Sequence, residues 1–215
     1  MSYIAERRQE EKERRRAEIL DAAEAVATVV GWDDMTMDEV ARKARLSRAL
    51  LYVYFKDKTD LMFGIGERAV ETLLERFQAA VARHARGLEQ MQAIGRAYVA
   101  FAQEFPVYMQ VLAHCELVPP QPGEPQGNEG ACARCALEVQ QLMVSTLERG
   151  VADGSIRADL KELHVVAMVL KGFMHGVIQM STTKANMLTQ AGIDVRSVLQ
   201  TALLLCTAAL GNRQS

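Results

Sequence analysis

The sequence predicts an all-α protein. Three observations carry the prediction: apolar residues recur at helical spacing through nearly every segment, no stretch sustains strand alternation, and glycine, proline and capping residues fall where helices would start and stop. The chain has 215 residues, 49% hydrophobic and 24% charged, with a formal net charge of -2. That length allows one large domain, or a small domain joined to a larger one, with a sizeable core. The N-terminus is charged from its first turns and lacks the apolar core of a signal peptide. The longest apolar stretch near the end, residues 198–210, is too short to span a membrane. A cytoplasmic protein without a membrane partner is expected, its four cysteines reduced thiols.

Each element follows from local signals. Ile19, Ala23, Val26 and Val30 form one stripe of a first helix that Gly31 stops. Residues 6–16 mix both charge signs and predict a solvated or frayed arm. Thr36 and Glu39 have the spacing of a capping box for a short second helix, and Ser47 caps a third. Asp57 caps a long helix with Leu61, Ile65, Leu73, Phe77 and Val81 on one face. Gly87 permits a break, after which Ile94, Tyr98, Phe101 and Phe105 form another stripe. Pro106 disfavours helical geometry at Phe105 and separates two helices. Residues 119–130, rich in proline and glycine, predict a loop, with a helix from about residue 131 to Gly154. Two further helices, about 159–182 and 193–210, are apolar on more than one side, so each is expected to pack on the core and on a partner.

Residues 36–55 have the layout of a helix-turn-helix: a short helix, a tight turn at Arg45-Leu46, and a second short helix. Val40, Ala41, Ala44, Leu46, Leu51 and Phe55 supply a small apolar core. From Arg42 to Lys58 six basic residues (Arg42, Lys43, Arg45, Arg48, Lys56, Lys58) accompany one acid, Asp57. A local positive surface is what neutralises DNA phosphates, whatever the net charge.

Residues 19 to 61 resemble the DNA-binding domain of the TetR family of bacterial transcriptional regulators. The resemblance rests on the paired alanines of the first helix, Gly31, Thr36, the Ala-x-x-x-Leu-Ser turn, and the run Leu-Tyr-x-Tyr-Phe-x-x-Lys-x-x-Leu. A weaker similarity appears over residues 148–160. The family implies an N-terminal helix-turn-helix domain, here residues 1–60, and a larger helical domain, residues 61–215, that dimerises and holds a small molecule. It implies that Tyr52 and Tyr54 contact DNA backbone, that Lys58 grips a phosphate, and that Ser47, Arg48, Ala49 and Leu50 face base edges. Arg48 has the geometry for guanine and Leu50 for a thymine methyl. The amides behind Thr36 and Ser47 suit phosphates. Two positions depart from the family pattern, Arg45 and Ala49, where glycine is usual. Arg45 must then tolerate or avoid a left-handed backbone.

For the effector, expected to be largely apolar, the sequence nominates Tyr98, Phe101, Phe105, Tyr108, Met109 and Met143, with Met168, Phe173 and Met174 beside them. His114, Lys171, His175 and Gln179 are polar groups near these stripes. Core packing is the alternative role for each. Gly172 and Gly176 lie four apart on one helix, and Ala202, Cys206 and Ala209 form a small-residue strip on the last, flanked by Leu199, Leu203 and Leu210. Such strips let helices approach closely, which favours a homodimer through a four-helix bundle. His114, Cys115, Cys132 and Cys135 could assemble as zinc ligands, Cys132 and Cys135 as a redox dithiol, or all as inert thiols. Nucleophile–base pairs, phosphate loops and carboxylate pairs in a recognisable setting are missing, so no enzyme and no cofactor is expected. The reading is a repressor released by an effector from a near-palindromic double-stranded DNA operator. The alternative is a metal- or redox-responsive repressor.

Overall fold

The computed structural model describes residues 3–119 and 123–212, and residues 120–122 of the proline-rich stretch lie outside them. Among the described residues ten helices follow one another: α1 Tyr3–Val30, α2 Met37–Lys43, α3 Arg48–Tyr54, α4 Lys58–Val81, α5 Gly87–Glu104, α6 Pro106–Leu117, α7 Gly127–Ala152, α8 Leu163–Thr183, α9 Ala185–Gln190 and α10 Val195–Leu210. Among the described residues the only β pairing is an isolated bridge between Ile156 and Gly211. The chain divides into two compact units, Met1–Val70 with Phe105–Arg134 and Glu71–Glu104 with Cys135–Ser215. This division differs from a cut at residue 60, because α6 and the start of α7 group with the N-terminal helices.

In the first unit α1 buries Ile19, Leu20, Ala22, Ala23 and Ala27. The predicted stripe does not run to its end: Val26 is half-buried and Val30 exposed. Gly31, at φ +83, turns the chain, and Trp32 and Met35 close the core in their place. The charged arm is a continuous, largely exposed helix rather than a frayed one, with side-chain pairs such as Arg15 to Glu18 at 2.7 Å along it. Polar bridges tie the later helices to α1. The Arg68 guanidinium donates to Asp21 at 2.6 Å and Glu24 at 2.9 Å, and the Tyr108 hydroxyl donates to Glu24 at 3.3 Å. Burial pushes the Glu24 carboxyl up against the opposing pull of Arg68, while burial and the Glu24 charge push the Tyr108 hydroxyl up to about 12.

α7 begins at Gly127, four residues before the expected start. Asn128 explains the early start: it accepts from Arg16 at 2.8 Å and donates to Asp60 at 2.9 Å, so contacts distant in sequence order that turn. Pro106 occupies the first turn of α6, and Phe105 is its N-cap, as expected.

In the second unit α10 packs on α5 and α8, and α5 packs on α8. α5 and α7 meet backbone to backbone: a Cβ on Gly87 would lie 2.2 Å from the Gly150 nitrogen. The Asp153 carboxylate accepts from the Gly87 N–H at 2.7 Å and the Ser155 N–H at 2.8 Å. Those donors, with the Ser155 side chain foremost, hold its pKa below the ordinary range. α8 starts at Leu163 rather than about 159, after Glu162 takes a left-handed φ of 51. The short α9 was not expected. By length and composition α8 is apolar enough to cross a membrane, with a window of mean hydropathy 1.4 of which only 17% is buried.

Candidate nucleic-acid interface and ligand cavity

The α2–turn–α3 segment is built from local hydrogen bonds around two anchors. Thr36 and Glu39 close the capping box in both directions, with the Thr36 N–H donating to Glu39 at 2.9 Å. The Ser47 hydroxyl accepts from the Leu50 N–H at 3.2 Å. Arg45 adopts φ 57, so the position where the family usually has glycine takes the left-handed backbone with a side chain present. Leu51 and Phe55 are 0% exposed and fasten α3 to its neighbours. Of the rest of α3, Arg48, Ala49, Leu50, Tyr52 and Val53 are exposed and Tyr54 is half-buried.

Thr36, Arg45, Ser47, Arg48, Ala49, Leu50 and Tyr52 are all exposed, and Tyr54 and Lys58 are half-buried. The structure therefore brings the nine predicted residues to one small region of the first unit. Two carry partners the sequence did not reveal. Arg48 forms a two-pronged ion pair with Asp38 at 3.0 and 3.1 Å and lies 5.7 Å from the centre of the Tyr52 ring. Lys58 donates to the Asp33 carbonyl at 2.9 Å and sits 5.3 Å from the Trp32 ring. Sequence reasoning overlooked Val53, which is 76% exposed. Its signal was available: Ala49 and Val53 flank the buried Leu51 at two residues, about 200° round the helix, so they form the outermost edge of α3.

The second unit encloses a cavity of about 80 Å³ with contributions from α4, α5, α7, α8 and α10. Its walls are mostly apolar, with Leu73, Phe77, Met91, Met143, Met174 and Leu203 prominent. Of the thirteen nominated ligand residues, Tyr98, Met143, Lys171 and Met174 line it. His175 stands behind Tyr98, its Nδ1 2.8 Å from the hydroxyl. The others correct the expectation. Phe101 is fully buried without lining the cavity, and Met168 is exposed. Phe105, Tyr108, Met109 and His114 belong to the first unit. There Phe105 stacks on Tyr108 at 5.2 Å, and His114 joins the Gln110 carbonyl to Asp33. A stripe on α5 and α6 cannot report that the two helices serve different cores.

The predicted dimer strip divides between two sides. Leu199 is buried within the chain, Leu203 and Cys206 line the cavity, and Ala202, though buried, borders the outward groove of Phe173 and Leu205. Ala209, Gly172 and Gly176 are exposed, and a Cβ on either glycine would meet nothing within 4 Å. The outward apolar residues are Val165, Met168, Val169 and Phe173 on α8 with Leu204 and Leu205 on α10. Phe173 and Leu205 share a shallow groove.

His114, Cys115, Cys132 and Cys135 do not assemble. Among the described residues no group of three or more His, Cys, Asp or Glu side chains converges on a metal position. Cys132 lies six residues into α7 and adjoins Cys115: a Cβ on Gly66 would lie 3.0 Å from the Cys115 sulfur and 3.1 Å from that of Cys132. The hydrogen bond to Cys132, followed by burial, pushes the Cys115 thiol up.

Comparison with known proteins places this geometry. Residues 19–65 match the family of bacterial regulatory proteins, tetR family. Over 76 residues the chain is 32% identical to the HTH-type transcriptional regulator HbdR of Aromatoleum sp. (strain CIB), a match spanning 35% of this chain and 31% of that protein. The fold is similar to a protein with unknown function from Rhodococcus sp. RHA1, with TM-score 0.73 and 21% identity over 92% of this chain and 95% of that one. It is also similar to the transcriptional regulator FadR from Bacillus subtilis in complex with stearoyl-CoA, with TM-score 0.68 and 15% identity over 90% and 98% of the two chains.

Proposed function

We propose that the chain is a member of the tetR family of bacterial regulatory proteins, whose model matches residues 19–65, and that it acts as a dimeric DNA-binding repressor, released from a near-palindromic operator by a small, largely apolar effector. The observation that carries the reading is α3: a short helix held by Leu51 that turns Arg48, Ala49, Leu50, Tyr52 and Val53 outward amid local positive charge. Arg48 exchanges Asp38 for a base edge on binding, and Tyr52, Tyr54 and Lys58 meet phosphates. HbdR and FadR, both transcriptional regulators by name, support the class of function.

The exposed apolar faces of α8 and α10 support the dimer, since a patch of that kind marks a surface covered in the working assembly. The cavity supports the effector. α4 runs unbroken from Lys58 to Val81, and its Leu73 and Phe77 line the cavity, so the helix that bears a phosphate contact also meets the ligand. The effector shifts the population between DNA-competent and incompetent forms, and a nearly complete switch needs about 5.5 kcal/mol of differential affinity.

The test is selection of a binding sequence from a random duplex pool, followed by titration at several salt concentrations. The expected result is one enriched near-palindrome whose affinity falls steeply with salt and drops further in the Tyr54→Ala, Lys58→Ala double variant. A flat salt response, or unchanged binding by that variant, would overturn the reading.

A further inference from the structure

We propose that Asp38 makes the DNA surface selective by withholding Arg48 from phosphates and releasing it to a guanine edge; this rests on the reading of α3 as the DNA-contacting helix. The pair joins the two short helices. The Arg48 Nη1–H donates to one Asp38 oxygen at 3.1 Å, and Nε lies 3.0 Å from the other. Arg48 is the first residue of α3, where the helix dipole disfavours a cation, so the helix itself gains nothing from it. The acids near this pair in sequence have local partners instead. Glu39 closes the capping box. Asp57 accepts from the Asp60 N–H at 2.7 Å, and Asp60 from the Lys56 N–H at 3.0 Å. Among the described residues the Asp38 carboxylate bonds only Arg48, ten residues away. An acid in the first turn of α2 also suits that helix's dipole, but any outward carboxylate there would do so without reaching α3.

Selectivity follows from charge. The two side chains are 65% and 56% exposed, so the ion pair is weak and opens at little cost. A phosphate drawn to Arg48 is drawn to Asp38 as well, and repulsion from the carboxylate offsets the attraction of the guanidinium. A guanine edge is neutral and offers N7 and O6 together. It takes two donors of Arg48 without bringing a like charge to Asp38. Asp38 thereby weakens binding to any duplex and spares binding to the right one. Arg42, Lys43, Arg45 and Lys56, all exposed, supply the phosphate contacts that need no selection.

The test is the affinity of the full chain for its selected duplex and for a scrambled one, each titrated at several salt concentrations. For Asp38→Asn the expected result is a gain on the scrambled duplex, with a salt slope steeper by about one per bound chain as Arg48 turns to a phosphate. The ratio of selected to scrambled affinity should fall about fivefold per bound chain, the effect of one charge pair about 4 Å apart in water. Asp38→Glu keeps the charge and should keep the ratio. Arg48→Met should weaken the selected duplex and leave the scrambled slope unchanged, because Asp38 already withholds Arg48 there. In that background Asp38→Asn should no longer alter the ratio. Thermal midpoints should stay near that of the parent, since both side chains are exposed. An unchanged ratio in Asp38→Asn, a scrambled-duplex slope that falls in Arg48→Met, or an effect of Asp38→Asn that persists without Arg48 would each overturn the proposal while the DNA-binding reading stands. A parent chain that prefers no duplex sequence overturns both.

Discussion

α3 and α8 are both largely turned to the outside, yet they differ in what they show. α3 is seven residues long, buries Leu51, and presents Arg48, Tyr52 and the small or apolar Ala49, Leu50 and Val53, with Arg42, Lys43, Arg45 and Lys56 exposed on either side of it. α8 is 21 residues long, buries Ala167, Met174, Ile178 and Ser181, and presents valine, methionine and phenylalanine. Exposure alone therefore identifies nothing. A mixed outer face amid exposed cations fits a polyanion with its base edges, whereas a continuous apolar one fits another protein surface that removes it from water. The stability of the two helices should differ in the same way: α3 hangs on few contacts, α8 on many.

The sharpest test of that contrast is Leu51→Ala. Deleting a fully buried leucine typically costs about 2–5 kcal/mol, and α3 has no second buried residue of its own to compensate. Loss of DNA binding with retained α8–α10 helicity, followed by circular dichroism during thermal denaturation, is the expected pattern. Should DNA binding persist, α3 is held by more than its anchor and the contrast fails.

Gly87→Ala probes the second unit at its tightest point. The new methyl would collide with the Gly150 backbone at 2.2 Å, and backbone cannot yield as a side chain does. Overpacking of this kind costs about 1–3 kcal/mol, to be read from the denaturation midpoint. Adding Gly150→Ala should not rescue it, since the obstruction is the Gly150 N and Cα.

These two sites also separate what the sequence could disclose from what it could not. The Thr36–Glu39 box, the Ser47 cap, the stop at Gly31 and the break at Pro106 depend on residues within four positions, and each was legible. The Gly87–Gly150 approach joins positions 63 apart, and nothing near Gly87 announces it. The early start of α7 depends on Asn128 meeting Arg16 and Asp60, so its glycine-rich first turn read as loop. On α10, apolar residues occur on every side. The pattern shows apolar residues on both sides but not which side meets the chain's own core, and Leu199, Leu203 and Cys206 turn out to face inward while Ala202 borders the outward groove. The exposure of the nominated α3 residues was legible because the Ser47 cap and the buried Leu51 between them set which side of the short helix turns outward. The cavity was legible only in part because its walls come from five helices.

A smaller effect is expected at the capping box. Thr36→Ala should cost about 1 kcal/mol through loss of the N-cap bond. It should also change the acid limb of the stability curve. The Thr36 side chain and backbone hold Glu39 below its ordinary pKa, so the contribution is present above the unfolded value and lost as pH falls through the folded one. In Thr36→Ala the side-chain share of that acid loss should disappear, while the backbone N–H at position 36 still donates to Glu39. An acid limb superimposable on that of the parent would show that the cap is not coupled to Glu39.

The smallest effect on folding, and the one that speaks most directly to α8, is expected from Val169→Asp combined with Leu205→Asp. Val169 is 64% exposed and Leu205 57%, so neither substitution opens a cavity or buries a charge within a single chain. Monomer stability should change by no more than about 0.5 kcal/mol per site. If the faces of α8 and α10 are covered by a second copy, two carboxylates per chain would be taken from water with no partner charge, and the dimer should dissociate. Sedimentation at several concentrations reads the mass, and denaturant titration the monomer stability. A variant that stays dimeric would move the interface off this face. A variant that unfolds as a monomer would mean the outer face of α8 supports the fold itself, and the distinction between α8 and α3 would have to be redrawn.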